Sequence, residues 1–196
     1  MTQLHHVYYF LRPPPAAAAR AAALQEAMRR CCPGARTAPM PPERLHITLQ
    51  PLGRFEGRVP DEARDLWLAA GKEMDEEPFD AVFDLVLCGA GRDAVGTLQL
   101  RGRGPAQRRL RRFQRSLGEV LCRQGFPAAD LRTRFMPHMT LDYAHPRVAP
   151  QSLDTPIAWQ VTHLYLVDSL YGRGRHEVLG CWPLRQRQQT FSDRLP

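Results

Sequence analysis

The sequence predicts an α+β protein whose two similar lobes pack as one bilobal domain over residues 1–196. Three observations carry this expectation. A strand–helix–strand passage occurs twice, and each copy closes on His-x-Thr-Leu, at 46–49 and at 138–141. No Gly/Ser-rich or highly charged linker separates the copies, so a division near 1–80 and 81–184 still leaves one packed unit. The 196 residues suffice for one sizeable core or two small halves joined together.

Leu4–Phe10 (LHHVYYF) is aromatic and β-branched and reads as a strand, stopped by Pro13-Pro14-Pro15. Alanine-rich 16–30 is a strong helix former with Leu24 and Met28 on one face. Four prolines and a glycine make 31–42 a loop. Leu45–Gln50 alternates apolar and polar residues and reads as a strand. Pro60-Asp61-Glu62 opens a second helix, to Lys72.

The second copy starts with strands at 79–87 and 97–101, joined by a glycine-rich turn at 89–96. A long basic helix follows over 105–124, with Leu110, Phe113, Leu117 and Leu121 as its apolar stripe. A strand runs through 139–143, and two more are expected at 157–167 and 176–181. The tail, 185–196, is polar and expected to be loose.

Residues i and i+2 of a strand share a face. His46 and Thr48 therefore project together, with Ile47 and Leu49 behind them. His138 and Thr140 project likewise, backed by Met139 and Leu141. Side by side, the two strands would bring two imidazoles and two hydroxyls to one groove. That set suits opening of a cyclic phosphodiester. One imidazole takes a proton from water while the other gives one to the leaving oxygen. The hydroxyls donate to phosphoryl oxygens as charge develops. With seven histidines and nine threonines in the chain, about 0.3 H-x-T triplets are expected by chance. Two are present, both extended by leucine.

These residues resemble the two-histidine phosphoesterases, and most of all the RNA 2′,3′-cyclic phosphodiesterase group, also called 2′-5′ RNA ligases. The matching stretches are Pro42-x-x-Leu45-His46-Ile47-Thr48-Leu49 with Leu52-Gly53, and Phe135-x-Pro137-His138-x-Thr140-Leu141. Trp159, Val161, Leu164, Leu166, Ser169, Gly174, Leu179 and Trp182 fit the closing pattern, and Phe10 and Pro13 the opening one. The resemblance covers nearly the whole chain, most loosely 71–103. It implies two lobes, each an antiparallel sheet with outer helices, whose H-x-T strands line a central cleft. It implies a catalytic set of His46, Thr48, His138 and Thr140 that needs neither metal nor cofactor. The implied reaction is hydrolysis of RNA 2′,3′-cyclic phosphate ends to a 2′-phosphate, with reversible 2′-5′ ligation as a side activity in which a hydroxyl replaces water as the nucleophile. His46 is then expected as acid toward the 3′ oxygen and His138 as base for water. Two family positions differ: Pro51 stands where an aromatic is common, and Tyr143 where an arginine is. Arg134, Tyr143 and Phe55 are the expected replacements for substrate contact.

Composition sets outer bounds. The net charge of +7 favours anionic partners. Arginine supplies 26 of the 27 basic residues, Lys72 being the one lysine, and suits phosphate. Codon composition in a GC-rich genome is the stronger explanation of that excess, so charge alone names no substrate. The basic run 101–115 reads as the solvated side of a helix, and Gly172-Arg173-Gly174-Arg175 as a turn. Five cysteines without a C-x-x-C pattern are expected to be reduced, mostly buried thiols. His5, His6, His145, His163 and His176 have no partner at metal-ligand spacing. No apolar stretch is long enough to cross a membrane and no signal peptide is legible. The expectation is a cytoplasmic monomer whose partners are RNA 3′ ends or small cyclic-phosphate nucleotides, for example an ADP-ribose cyclic phosphate. A binding module that holds RNA ends without turnover is the reading from another class.

Overall fold

The computed structural model describes residues 2–89 and 95–185. Most of the 185–196 tail and most of the 89–96 turn therefore lie outside the described residues. Eight strands are seen in the rest: β1 (Leu4–Leu11), β2 (Ile47–Glu56), β3 (Phe79–Cys88), β4 (Val95–Arg101), β5 (His138–Pro146), β6 (Gln151–Val161), β7 (His163–Leu170) and β8 (Arg175–Pro183). The helices are α1 (Pro15–Cys31), α2 (Asp61–Glu73) and α3 (Pro105–Arg123). They build two four-stranded antiparallel sheets, ordered β2-β1-β7-β8 and β5-β4-β3-β6. The fold is thus α+β with two pseudo-symmetric lobes. The expected repeat is present as β1-α1-β2 and β4-α3-β5, with each H-x-T strand at a sheet edge.

Two features of the chain path depart from the sequence expectation. The stretch 157–167 is not one strand. It breaks at Thr162, and β6 and β7 on either side join different sheets. Pro156 lies within β6, which the fold places at an edge where a missing N–H costs no ladder bond. The hairpin β7-β8 then returns to the first sheet, where β7 pairs with β1. A single cut near residue 80 leaves that hairpin in the wrong lobe. The cysteines also differ: all five are free, but none is buried, and Cys31 and Cys181 are exposed.

Helix packing ties the lobes together. α2 lies on β7 and β8 and touches α3. Tyr9 donates from its hydroxyl to the Trp67 carbonyl of α2. Gly71 on α2 meets the Trp182 indole so closely that an added Cβ would collide with the ring. α3 buries Leu110, Phe113, Leu117 and Leu121 completely, as its stripe requires, and leaves most of its arginines in solvent. α1 follows β1 in sequence yet packs on β5 and β6 of the other sheet. There Gln25 donates to the Leu141 carbonyl at 2.5 Å. Arg29 pairs with Asp142 at 2.6 Å, and the Asp142 side chain is fully buried. Thr37 donates to the same carboxylate at 2.6 Å. Arg29→Ala leaves that carboxylate without its cation, an expected loss of about 3–5 kcal/mol. Urea unfolding checks this; an unchanged midpoint would show that Asp142 does not depend on Arg29.

Candidate active site

The two H-x-T-L segments share one local design. Leu45, Ile47 and Leu49 are buried while His46 and Thr48 remain half-exposed; Met139 and Leu141 are buried while His138 and Thr140 remain half-exposed. The leucine of each motif is a β-bulge residue. Phe10 pairs with Thr48 but Tyr9 with Gln50, which leaves Leu49 extra. Gln99 pairs with Thr140 but Leu98 with Asp142, which leaves Leu141 extra. A bulge re-aims the side chains that come after it. Gln50 and Asp142, each next after its leucine, turn inward and are at most 1% exposed. Gln50 donates to the carbonyls of Pro51 (2.8 Å) and Asp130 (3.1 Å) and accepts from the Arg132 N–H (2.9 Å). Each motif is thereby anchored to a segment of the other lobe by a buried polar side chain.

Both histidines are oriented the same way. His46 Nδ1 lies 2.6 Å from the Arg44 carbonyl and His138 Nδ1 lies 2.9 Å from the Met136 carbonyl. A carbonyl only accepts, so each Nδ1 carries the hydrogen and each neutral ring keeps its Nε2 lone pair for chemistry. Burial pushes His46 down to about 4; the Arg44 carbonyl bond opposes this, and the charges of Arg44, His138 and Arg12 add to it. His138 is also lowered, by burial first, then by Arg132 and Arg101 against the pull of the Met136 carbonyl. His138 thus acts electrostatically on His46 from across the lobe boundary, where β2 meets β5.

A cleft of about 1130 Å³ opens beside His46 and Thr48 and is also lined by Tyr8, Arg44, Tyr143 and His176. His138 and Thr140, on β5, are not among its lining residues. Tyr143 is exposed and reaches the cleft from the second lobe. Phe55 does not reach it: its ring packs on Trp67 at 5.9 Å and folds over Gly53. Arg134 is exposed and does not line the cleft. Arg132, two residues earlier, is the inward one. It donates to the Thr48 carbonyl at 3.3 Å, and its charge bears on His138.

Sequence reasoning passed over two further neighbours of His46. His176, from β8, meets the His46 ring edge-on at 5.4 Å, and the Tyr8 hydroxyl lies 3.1 Å from its Nε2. Tyr8 stacks on His46 at 5.5 Å. Burial, aided by His46, Arg44 and Arg12, pushes His176 down to about 4, and burial pushes Tyr8 up to about 12, so both are neutral near pH 7. Their one sequence signal was polarity on strands that otherwise fill a core. Among the described residues, no group of three or more His, Cys, Asp or Glu is arranged to hold a metal ion, and no helix is long and apolar enough to cross a membrane.

Two edge strands, each presenting a histidine and a threonine toward the junction of two lobes, correspond to the class of two-histidine phosphoesterases. The chain belongs to the 2′-5′ RNA ligase superfamily, whose family model matches residues 9–173. Its fold is similar to that of Escherichia coli LigT, solved as a complex with 3′-AMP, with 23% identity, a TM-score of 0.72, and 95% of this chain and 100% of that one covered. It is similar as well to TT0787 of Thermus thermophilus, with 24% identity, a TM-score of 0.73, and 93% and 99% covered. No curated protein matches the chain by sequence.

Proposed function

We propose that the protein hydrolyses RNA ending in a 2′,3′-cyclic phosphate to a 2′-phosphate without a metal, using His46, Thr48, His138 and Thr140. The observation that carries the reading is the duplicated tautomer lock, which leaves two Nε2 atoms free on edge strands that touch across the lobe boundary. Water attacks phosphorus, the bond from phosphorus to the 3′ oxygen breaks, and the phosphate stays on the 2′ oxygen. The depressed basicity of His46 keeps it neutral at pH 7, which suits the imidazole that takes the proton from water. His138 then supplies the proton to the departing 3′ oxygen; an anionic phosphate in the cleft favours its protonated form. The two threonine hydroxyls donate to the non-bridging oxygens. A 5′-hydroxyl in place of water runs the same steps as ligation.

Product mapping tests the reaction. A 2′-phosphate is expected, and a 3′-phosphate would assign the leaving oxygen wrongly. The pH profile tests the proton transfers. The base must be unprotonated, so kcat/KM should rise as pH climbs through about 4. The acid must be protonated, so it should fall as pH climbs through the His138 value, below the usual 6.5. A flat profile from pH 4 to 8 contradicts the scheme. Since the reverse assignment gives the same bell, NMR titration of each imidazole decides the roles, and a lower value at His138 would exchange them.

A further inference from the structure

The cleft extends well past His46 and Thr48 along one face of the first sheet. Strand pairing arranges that face in rungs: Thr48, Phe10 and Tyr165; then Pro51, Tyr8 and Val167; then Arg54, His6 and Ser169. β2 advances three residues per rung, not two, because it carries bulges at both steps. From the first rung to the third is four residues of β1, roughly 13 Å. His6, Arg54, Ser169 and Tyr171 line the same cleft as His46 and Thr48. Its volume of about 1130 Å³ exceeds the roughly 300–1,000 Å³ usual for small-molecule sites.

The far end has the chemistry of a nucleotide subsite. Tyr171 is 66% exposed, yet its backbone is fixed by the bond from its N–H to the Leu4 carbonyl at 2.9 Å. One face of its ring stacks on His6, centroids 5.1 Å apart at 30°. Arg54 is exposed, makes no ion pair among the described residues, and lies close enough for its charge to act on His6. A pre-stacked aromatic beside a free guanidinium matches a base and its phosphodiester. The β7–β8 turn carries Tyr171, and its Gly172 and Gly174 take positive φ, 81° and 62°, which bends the chain tightly beside the cleft.

We propose that Tyr171 on His6, together with Arg54, binds the nucleotide on the 5′ side of the reacting cyclic phosphate. The base lies on Tyr171 and the internucleotide phosphate faces Arg54. The inference rests on the reaction proposed above and makes the substrate an RNA end of at least two nucleotides in place of a cyclic mononucleotide.

The test compares kcat/KM for a dinucleotide ending in a 2′,3′-cyclic phosphate with that for the corresponding 2′,3′-cyclic mononucleotide. Wild type should favour the dinucleotide by roughly 5- to 150-fold, the usual worth of one stacked base. Tyr171→Ala should erase most of that preference and Tyr171→Phe should keep it. Arg54→Ala should reduce the preference and also its dependence on salt. Equal kcat/KM in wild type, or a preference that survives both alanine variants, overturns the subsite and leaves the reaction standing. Turnover of neither substrate by folded wild type overturns the reaction, and the subsite with it.

Discussion

His46→Ala and His138→Ala should each lower kcat for cyclic-phosphate opening by about 10²- to 10⁴-fold, the range for a positioned acid or base. The reason lies in the duplicated geometry. Each Nδ1 is committed to a carbonyl two residues back, so each ring offers only Nε2 to the reaction. Neither proton transfer has a local substitute. His176 meets the His46 ring edge-on, but its Nε2 is engaged with the Tyr8 hydroxyl. The double variant should be little worse than either single one, because the two groups act in one step. Burst and steady-state rates on a cyclic-phosphate-ended oligonucleotide measure this. A single variant retaining a tenth or more of wild-type kcat would remove that histidine from the chemistry.

Thr48→Val and Thr140→Val should each cost about 10²- to 10³-fold in kcat, as removal of one donor to a developing oxyanion does. Valine matches the threonine shape and suits a strand, so the change removes a hydroxyl and little else. The loss should fall on kcat more than on KM, since the charge on the non-bridging oxygens grows toward the transition state. Thr48 pairs with Phe10 and Thr140 with Gln99 at equivalent places in the two sheets, so the two effects should be of similar size. A rise in KM with kcat unchanged would make the hydroxyls ground-state contacts only.

The strand periodicity made the core of the candidate site legible. Alternation in 45–49 and 137–141 put histidine and threonine on one side of each strand and apolar residues, leucine, isoleucine, proline or methionine, on the other, as the burial shows. It failed one residue later. Leu49 and Leu141 are bulge residues, and no local pattern marks a bulge, so Gln50 and Asp142 bury where alternation would expose them. The fold class followed from the repeated strand–helix–strand passage, but the chain path did not. Residues 157–167 hold neither Gly nor Pro at the break, so Thr162 looks like any strand residue. His176 and Tyr8 were hidden for a related reason: strand pairing across the returning hairpin creates their proximity to His46, and sequence spacing carries none of it. Arg132 and Arg134 differ only in which way an irregular segment points them, and only the former bonds to a motif strand.

The most direct measurement is turnover of a short RNA with a 2′,3′-cyclic phosphate end, in EDTA, by wild type and by His46→Ala and His138→Ala. Conversion to a 2′-phosphate by wild type, undiminished by the chelator and lost in both variants, is the expected result. Folded wild type that leaves this RNA and small 2′,3′-cyclic nucleotides alike intact, or that needs a metal restored, would contradict the account.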